Sequence, residues 1–169
     1  MSSKSLDLNP SKIVRYITKI VDINYIMRIS TRTRYGIRAL VELAIHHTEE
    51  PVTVRFLAQR LGVSRHYLEN LMLIMKRNGF VAPSRGPKGG YSLAKYPADI
   101  SLPEVFIALE GSETLAYCGT CPDSCPYRDY CAGRDLFRLL GEAMFGALSS
   151  ITVKTMAEWQ VLKLYRSLS

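Results

Sequence analysis

Thr53-Val-Arg-Phe-Leu-Ala-Gln-Arg-Leu-Gly62-Val-Ser64-Arg-His-Tyr-Leu-Glu-Asn-Leu-Met-Leu-Ile-Met-Lys-Arg-Asn78-Gly79 is the stretch that decides the fold. Thr53 is an N-cap residue followed by apolar side chains at helical spacing. This predicts a helix over Val54–Leu61 with Phe56, Leu57 and Leu61 turned inward. Gly62-Val63 makes a tight turn. Ser64 caps a second helix over Arg65–Arg77, which Asn78-Gly79 ends as a left-handed C-terminal cap. Helix, short glycine turn and Ser-capped helix together give the spacing of a helix-turn-helix. Leu68, Leu71 and Met75 share the inner face of the second helix, and Ser64, Arg65, His66, Tyr67 and Asn70 gather at its N-terminal end. Hydroxyls and a helix N-terminus suit phosphates, and Asn70 suits a base edge.

Downstream, two short strands, Phe80–Pro83 and Gly90–Leu93, flank a Gly/Pro-rich tip carrying Arg85 and Lys88. A hairpin directly after a helix-turn-helix is a wing. Glycines let its tip approach a sugar-phosphate backbone, and an Arg there suits the minor groove. Upstream, Tyr35, Ile37, Leu40, Val41, Leu43 and Ala44 predict an amphipathic helix over Thr31–His47, capped by Ser30 or Thr31. Residues 27–97 therefore read as a winged helix-turn-helix DNA-binding domain. Residues 1–26 are a basic extension with a short helical pattern after Ser11. Met27 offers a second start, so the extension is either a flexible arm or a mis-called start.

In residues 98–169, Ser101 is expected to cap a helix over Leu102–Leu109, with Pro103 tolerated in its first turn and Gly111 at its end. A loop follows at about 112–132. A helix from near Gly133 to about Ser149 then carries a broad apolar stripe, Leu136, Leu139, Leu140, Ala143, Met144, Ala147 and Leu148. So short a chain has little else to cover that stripe, so the helix reads as a dimer seam. Two-fold dimers suit helix-turn-helix proteins, whose half-sites lie about one DNA turn apart. Thr155 is expected to cap a last helix over Met156–Leu162. The expected fold class is mainly α, a winged helix-turn-helix plus a long C-terminal dimerisation helix.

The four cysteines of the 169 residues all lie in Cys118-Gly-Thr-Cys121-Pro-Asp-Ser-Cys125-Pro-Tyr-Arg-Asp-Tyr-Cys131. With 47% hydrophobic residues the chain can bury a core without disulfide staples. It has no apolar run of membrane-spanning length and no apolar-centred leader, so a cytoplasmic protein off the membrane is expected. Clustered thiols there point to zinc, an iron–sulfur cluster or redox-sensitive cysteines. Structural zinc sites usually pair two separated C-x2-C knuckles, and the common ferredoxin runs are not matched either, so spacing alone leaves these open. Charge divides the chain. Residues 1–97 hold 16 Lys and Arg against 6 Asp and Glu, whereas 98–169 hold 6 against 9. A basic half beside an acidic one fits a nucleic-acid module joined to another module. No nucleotide-binding glycine motif or Ser/His/Asp arrangement is present, and His46, His47 and His66 lie in the DNA module. An enzyme is not expected, and a cluster-bearing electron carrier is the weaker reading.

Met27–Leu40, Leu61–Leu71 and Arg85–Ala94, with the cysteine loop behind them, resemble the Rrf2 family of bacterial transcription regulators. The resemblance covers about residues 27–160. It implies a homodimeric repressor that reads a palindromic operator in double-stranded DNA, with no catalytic role. It also implies recognition-helix contacts at Tyr67, Glu69 and Asn70 and a wing contact at Arg85. Many members hold a [2Fe–2S] or [4Fe–4S] cluster on three loop cysteines separated by about five or six residues. Cys118, Cys125 and Cys131 match that pattern, with [2Fe–2S] favoured. One branch adds a His three residues after the last cysteine, where this chain has Arg134. Another adds an Asp in the first helix, where this chain has Arg34. Cys121 is the replacement fourth ligand, unless an exogenous group takes that place. Zinc or thiol/disulfide sensing on the same fold, with no cluster, is the alternative; separately, some cluster-free members of the family respond through a protein partner.

Overall fold

The computed structural model describes residues 29–46, 50–86, 89–111, 125–127 and 129–168. The extension 1–26, Lys88, Cys118, Cys121 and most of the 112–132 loop lie outside the described residues. The elements in chain order are α1 (Thr31–Ile45), α2 (Val54–Leu61), α3 (Arg65–Arg77), β1 (Val81–Ser84), β2 (Gly90–Leu93), α4 (Leu102–Glu110), α5 (Ala132–Leu148) and α6 (Val153–Leu168). Helices dominate, around one antiparallel hairpin with Val81 opposite Leu93 and Ser84 opposite Gly90.

The local signals read from sequence act as capping predicts. The hydroxyls of Ser30, Thr53 and Ser64 accept from the backbone N–H of Thr33, Phe56 and Tyr67 at 3.1, 3.2 and 3.2 Å. Each satisfies one of the donors left free in a first helical turn. At the far end of α3, Gly79 N–H reaches Lys76 O and Phe80 N–H reaches Met75 O. With Gly79 at φ 71° this is a Schellman cap, and it swings Phe80 into the core.

Several expectations need correction. Phe56 is exposed on α2 and packs edge-on against the His46 ring, 5.1 Å between centroids. Leu57 and Leu61 do face inward. The strand expected at Phe80–Pro83 runs Val81–Ser84, because Phe80 contributes only its carbonyl, to Ala94 N–H. Ser101 occupies the N-cap position of α4, but its side chain makes no capping bond. The last helix, 16 residues long, is more than twice the expected reach. It begins at Val153, and Thr152 rather than Thr155 supplies the cap, accepting from Thr155 N–H at 3.3 Å.

One hydrophobic cluster joins the two halves. It combines Ala39, Leu40 and Leu43 of α1, Leu68, Leu71, Met72 and Met75 of α3, Val105 and Leu109 of α4, and Val153 of α6. Within the second half, backbone bonds tie the start of α4 to the start of α6, Leu102 N–H to Ile151 O and Val153 N–H to Ile100 O, both 3.0 Å. Helix α5 stands apart. Gly141 is its only buried residue, and Leu136, Phe137, Leu139 and Leu140 are exposed. No helix among the described residues is long and apolar enough to cross a membrane.

Candidate nucleic-acid interface and cysteine loop

The first turns of α3 bring Ser64, Arg65, His66 and Asn70 to the surface together. Ser64 spends a lone pair on the Tyr67 amide and keeps its hydroxyl proton free to donate. Arg65 Nε donates to Glu69 Oε1 at 2.8 Å, and Asn70 Nδ2 lies 3.4 Å from His66 Nε2. These i,i+4 pairs are exposed and worth about 0.3–0.5 kcal/mol each, so a nucleic-acid partner displaces them at little cost.

Tyr67 points elsewhere. Its hydroxyl is buried without a hydrogen-bond partner among the described residues, and its ring stands edge-on to Tyr35 at 6.1 Å. In this conformation it packs α3 on α1 and does not present its hydroxyl with the others. Over Tyr35 sit the guanidinium groups of Arg34 and Arg38, 5.0 and 5.4 Å from the ring centroid. Both arginines are exposed, so α1 adds positive charge beside the recognition helix. Sequence reasoning does not mark them as contacts. Their spacing of four residues on one helix is the available signal.

Arg85 is exposed at the end of β1, next to Gly86 at φ 113°. The base of the hairpin is fixed to the helix-turn-helix. Val52 and Tyr91 exchange N–H···O bonds of 2.9 Å, and a Cβ on Gly90 would collide with the Val52 carbonyl. The wing is therefore held at a set position beside α2 and α3.

Of the candidate ligands, Cys125 and Cys131 are described, both free thiols and partly buried. A turn separates them, with Tyr130 N–H bonded to Tyr127 O at 3.2 Å and the two exposed rings in edge contact. Cys131 is the N-cap residue of α5, its carbonyl accepting from Arg134 N–H. An anionic ligand there sits at the positive end of the helix. Two thiols bracketing a turn fit soft-metal or cluster chemistry by donor type. No group of three or more ligand side chains occurs among the described residues. At the other side of the loop, Glu110 Oε1 accepts from Ser30 N–H at 3.1 Å. Burial opposes its ionisation, but hydrogen bonds from Thr33 and Ser30 and the charge of Arg32 prevail and hold its carboxyl below the usual value.

Comparison with known proteins agrees with this arrangement. The sequence profile of the Rrf2 family, described as iron-dependent transcriptional regulators, matches residues 29–158. The chain is 35% identical over 127 residues to the protein rrf2 of Nitratidesulfovibrio vulgaris, covering 75% of this chain and 85% of that one. It is equally 35% identical over 127 residues to the HTH-type transcriptional regulator IscR of Serratia proteamaculans, covering 75% and 77%. Among solved structures, CymR, the global cysteine regulator of B. subtilis, superposes with a TM-score of 0.66 at 31% identity, covering 79% of this chain and 98% of CymR. T. potens IscR gives 0.64 at 31% identity, covering 78% and 86%. The IscR relative and CymR are named as regulators, and the family is one of transcriptional regulators rather than enzymes. With the winged helix-turn-helix, its exposed basic face and this breadth of likeness, the chain belongs to the Rrf2 family of DNA-binding transcriptional regulators.

Proposed function

We propose that the chain is a cytoplasmic, homodimeric repressor whose binding to a palindromic operator is set by an iron–sulfur cluster in the 118–131 loop. Residues 27–97 form its DNA-binding unit and 98–169 its sensing and dimerisation unit. Ser64, Arg65, His66, Glu69 and Asn70 would meet DNA from α3, and Arg85 and Lys88 from the wing. Tyr67 would join them only if its ring left Tyr35. Cys118, Cys125 and Cys131 would hold the cluster, [2Fe–2S] ahead of [4Fe–4S], with Cys121 as the fourth thiolate. Such a cluster supplies iron that responds to redox state, nitric oxide or iron–sulfur supply.

One observation carries the reading. Cys131 is the N-cap residue of helix α5, which exposes Leu136, Leu139 and Leu140 within its first turns. Sensing loop and apolar seam thus share one helix, so ordering the loop bears directly on how two protomers meet. The separation of two recognition helices follows from that seam, and a coupling of about 1–3 kcal/mol shifts occupancy substantially.

The likeness to a cysteine regulator supports a second reading, in which zinc or the thiols themselves respond on the same fold without a cluster. Anaerobic purification separates the two. A coloured protein with bound iron and sulfide supports the cluster, and a colourless one with zinc or no metal supports the second reading. Genomic fragments captured by the protein then serve as probes. Equal affinity of cluster-loaded and cluster-free wild type for them would refute the sensing role.

A further inference from the structure

A cavity of about 400 Å³ opens between the start of α2, the start of α3 and the base of the wing. Arg55 and Arg65 line it from two different helices, with Ser84 and the backbone of Gly89 and Gly90 from the hairpin. No carboxylate is among its lining residues. Arg65 is shared with Glu69, while Arg55 has no ion-pair partner among the described residues. Two arginines on the wall of a concave site with no carboxylate in its lining leave an anion as the complementary occupant, and their planar forks match phosphate oxygens. The walls are preformed, since the Val52–Tyr91 bridge and the close packing at Gly90 fix the wing against the cap of α2. An occupant therefore demands little reorganisation.

We propose that this cavity seats a phosphodiester of the DNA backbone, with Arg55 as its principal ligand and Arg65 turned in from Glu69. The inference rests on the DNA-binding reading above and adds to it a contact on α2. The cavity lies between the recognition helix and the wing, the two elements that reading places on DNA, so a backbone phosphate is the anion brought to its mouth. The contact fixes position on the duplex and carries no sequence information. A phosphate group on a small molecule has the same chemistry, and the test separates the two sources.

Full-length wild type, Arg55→Gln and Arg55→Lys are titrated by fluorescence anisotropy against one labelled duplex of arbitrary sequence, about 30 base pairs, from about 50 to 200 mM salt. The expected result is weaker binding by Arg55→Gln, with the slope of log affinity against log salt reduced by about 0.9 for each phosphate left without its guanidinium. Arg55→Lys should keep the wild-type slope, and all three proteins should melt alike. A wild-type slope in Arg55→Gln overturns the proposal. So does inorganic phosphate raising the melting temperature of wild type but not of Arg55→Gln while the slopes agree, which would assign the cavity to a small phosphorylated ligand. Wild type that fails to bind any duplex would refute the regulator reading itself, a separate outcome.

Discussion

Glu110 closes α4 immediately before the cysteine loop, and its carboxylate holds the amide that opens α1. Its folded pKa lies below its ordinary 4.5, so its contribution to stability is fully present at neutral pH. That contribution fades as pH falls below about 4.5 and through the lower folded value. Glu110→Gln should therefore cost about 0.5–1 kcal/mol at pH 7, a partly exposed contact being worth no more. The gap to wild type should close in acid. Denaturant midpoints for both proteins from pH 7 to 3 check this, and a gap independent of pH would contradict it. A larger effect is expected at Leu68, which is fully buried beneath the recognition helix. Leu68→Ala should cost about 2–5 kcal/mol by transfer and cavity terms together. Leu68 is legible from its spacing on α3. The burial of the Tyr67 hydroxyl is not, since it depends on Tyr35 meeting the ring from 32 positions upstream.

At the scale of elements, the helix-turn-helix and wing are legible because each boundary is set locally, by a Ser or Thr cap, a left-handed glycine or a hairpin turn. Where a tertiary contact sets the boundary, local signals fall short. Helix α6 starts early because Thr152 pairs with Ser101 across the molecule, and no local pattern announces that bridge. Arg55 carries no signal in the sequence for the same reason, since only the docked wing turns its surroundings into a cavity. The stripe on α5 is legible in position, and its exposure follows from the rest of the fold. Leu136 and Leu140 lie one turn apart on it, 54% and 45% exposed. Leu136→Glu/Leu140→Glu should leave the helix content of the protomer nearly unchanged, because neither side chain is in the core. On the proposed dimer, the same pair should convert dimers to monomers in sedimentation equilibrium and lower operator affinity. Dimers that persist would exclude α5 as the seam.

On the scale of the whole molecule, the two halves are bound by one buried carboxylate as well as by the shared core. Glu42 of α1 is 5% exposed. It accepts from Gln160 Nε2 at 2.9 Å on α6 and from Arg60 Nε at 3.3 Å on α2. Removing either side of such a contact is not symmetric. Arg60 is about half exposed, so in Glu42→Leu it returns to water, and the destabilisation should stay near 1–2 kcal/mol. In Arg60→Ala the carboxylate stays buried with its charge less compensated, and stability should fall by about 2–4 kcal/mol. The sole tryptophan, Trp159, lies on α6 beside Gln160 and reports on that helix alone. With one core running from α1 to α6, its fluorescence and far-UV circular dichroism should give coincident unfolding curves in wild type at fixed protein concentration. Arg60→Ala should shift both curves together and further than Glu42→Leu does. A Trp159 transition that precedes the loss of helix would mean that α6 undocks as its own unit, and the two halves would then be joined far more loosely than their shared core implies.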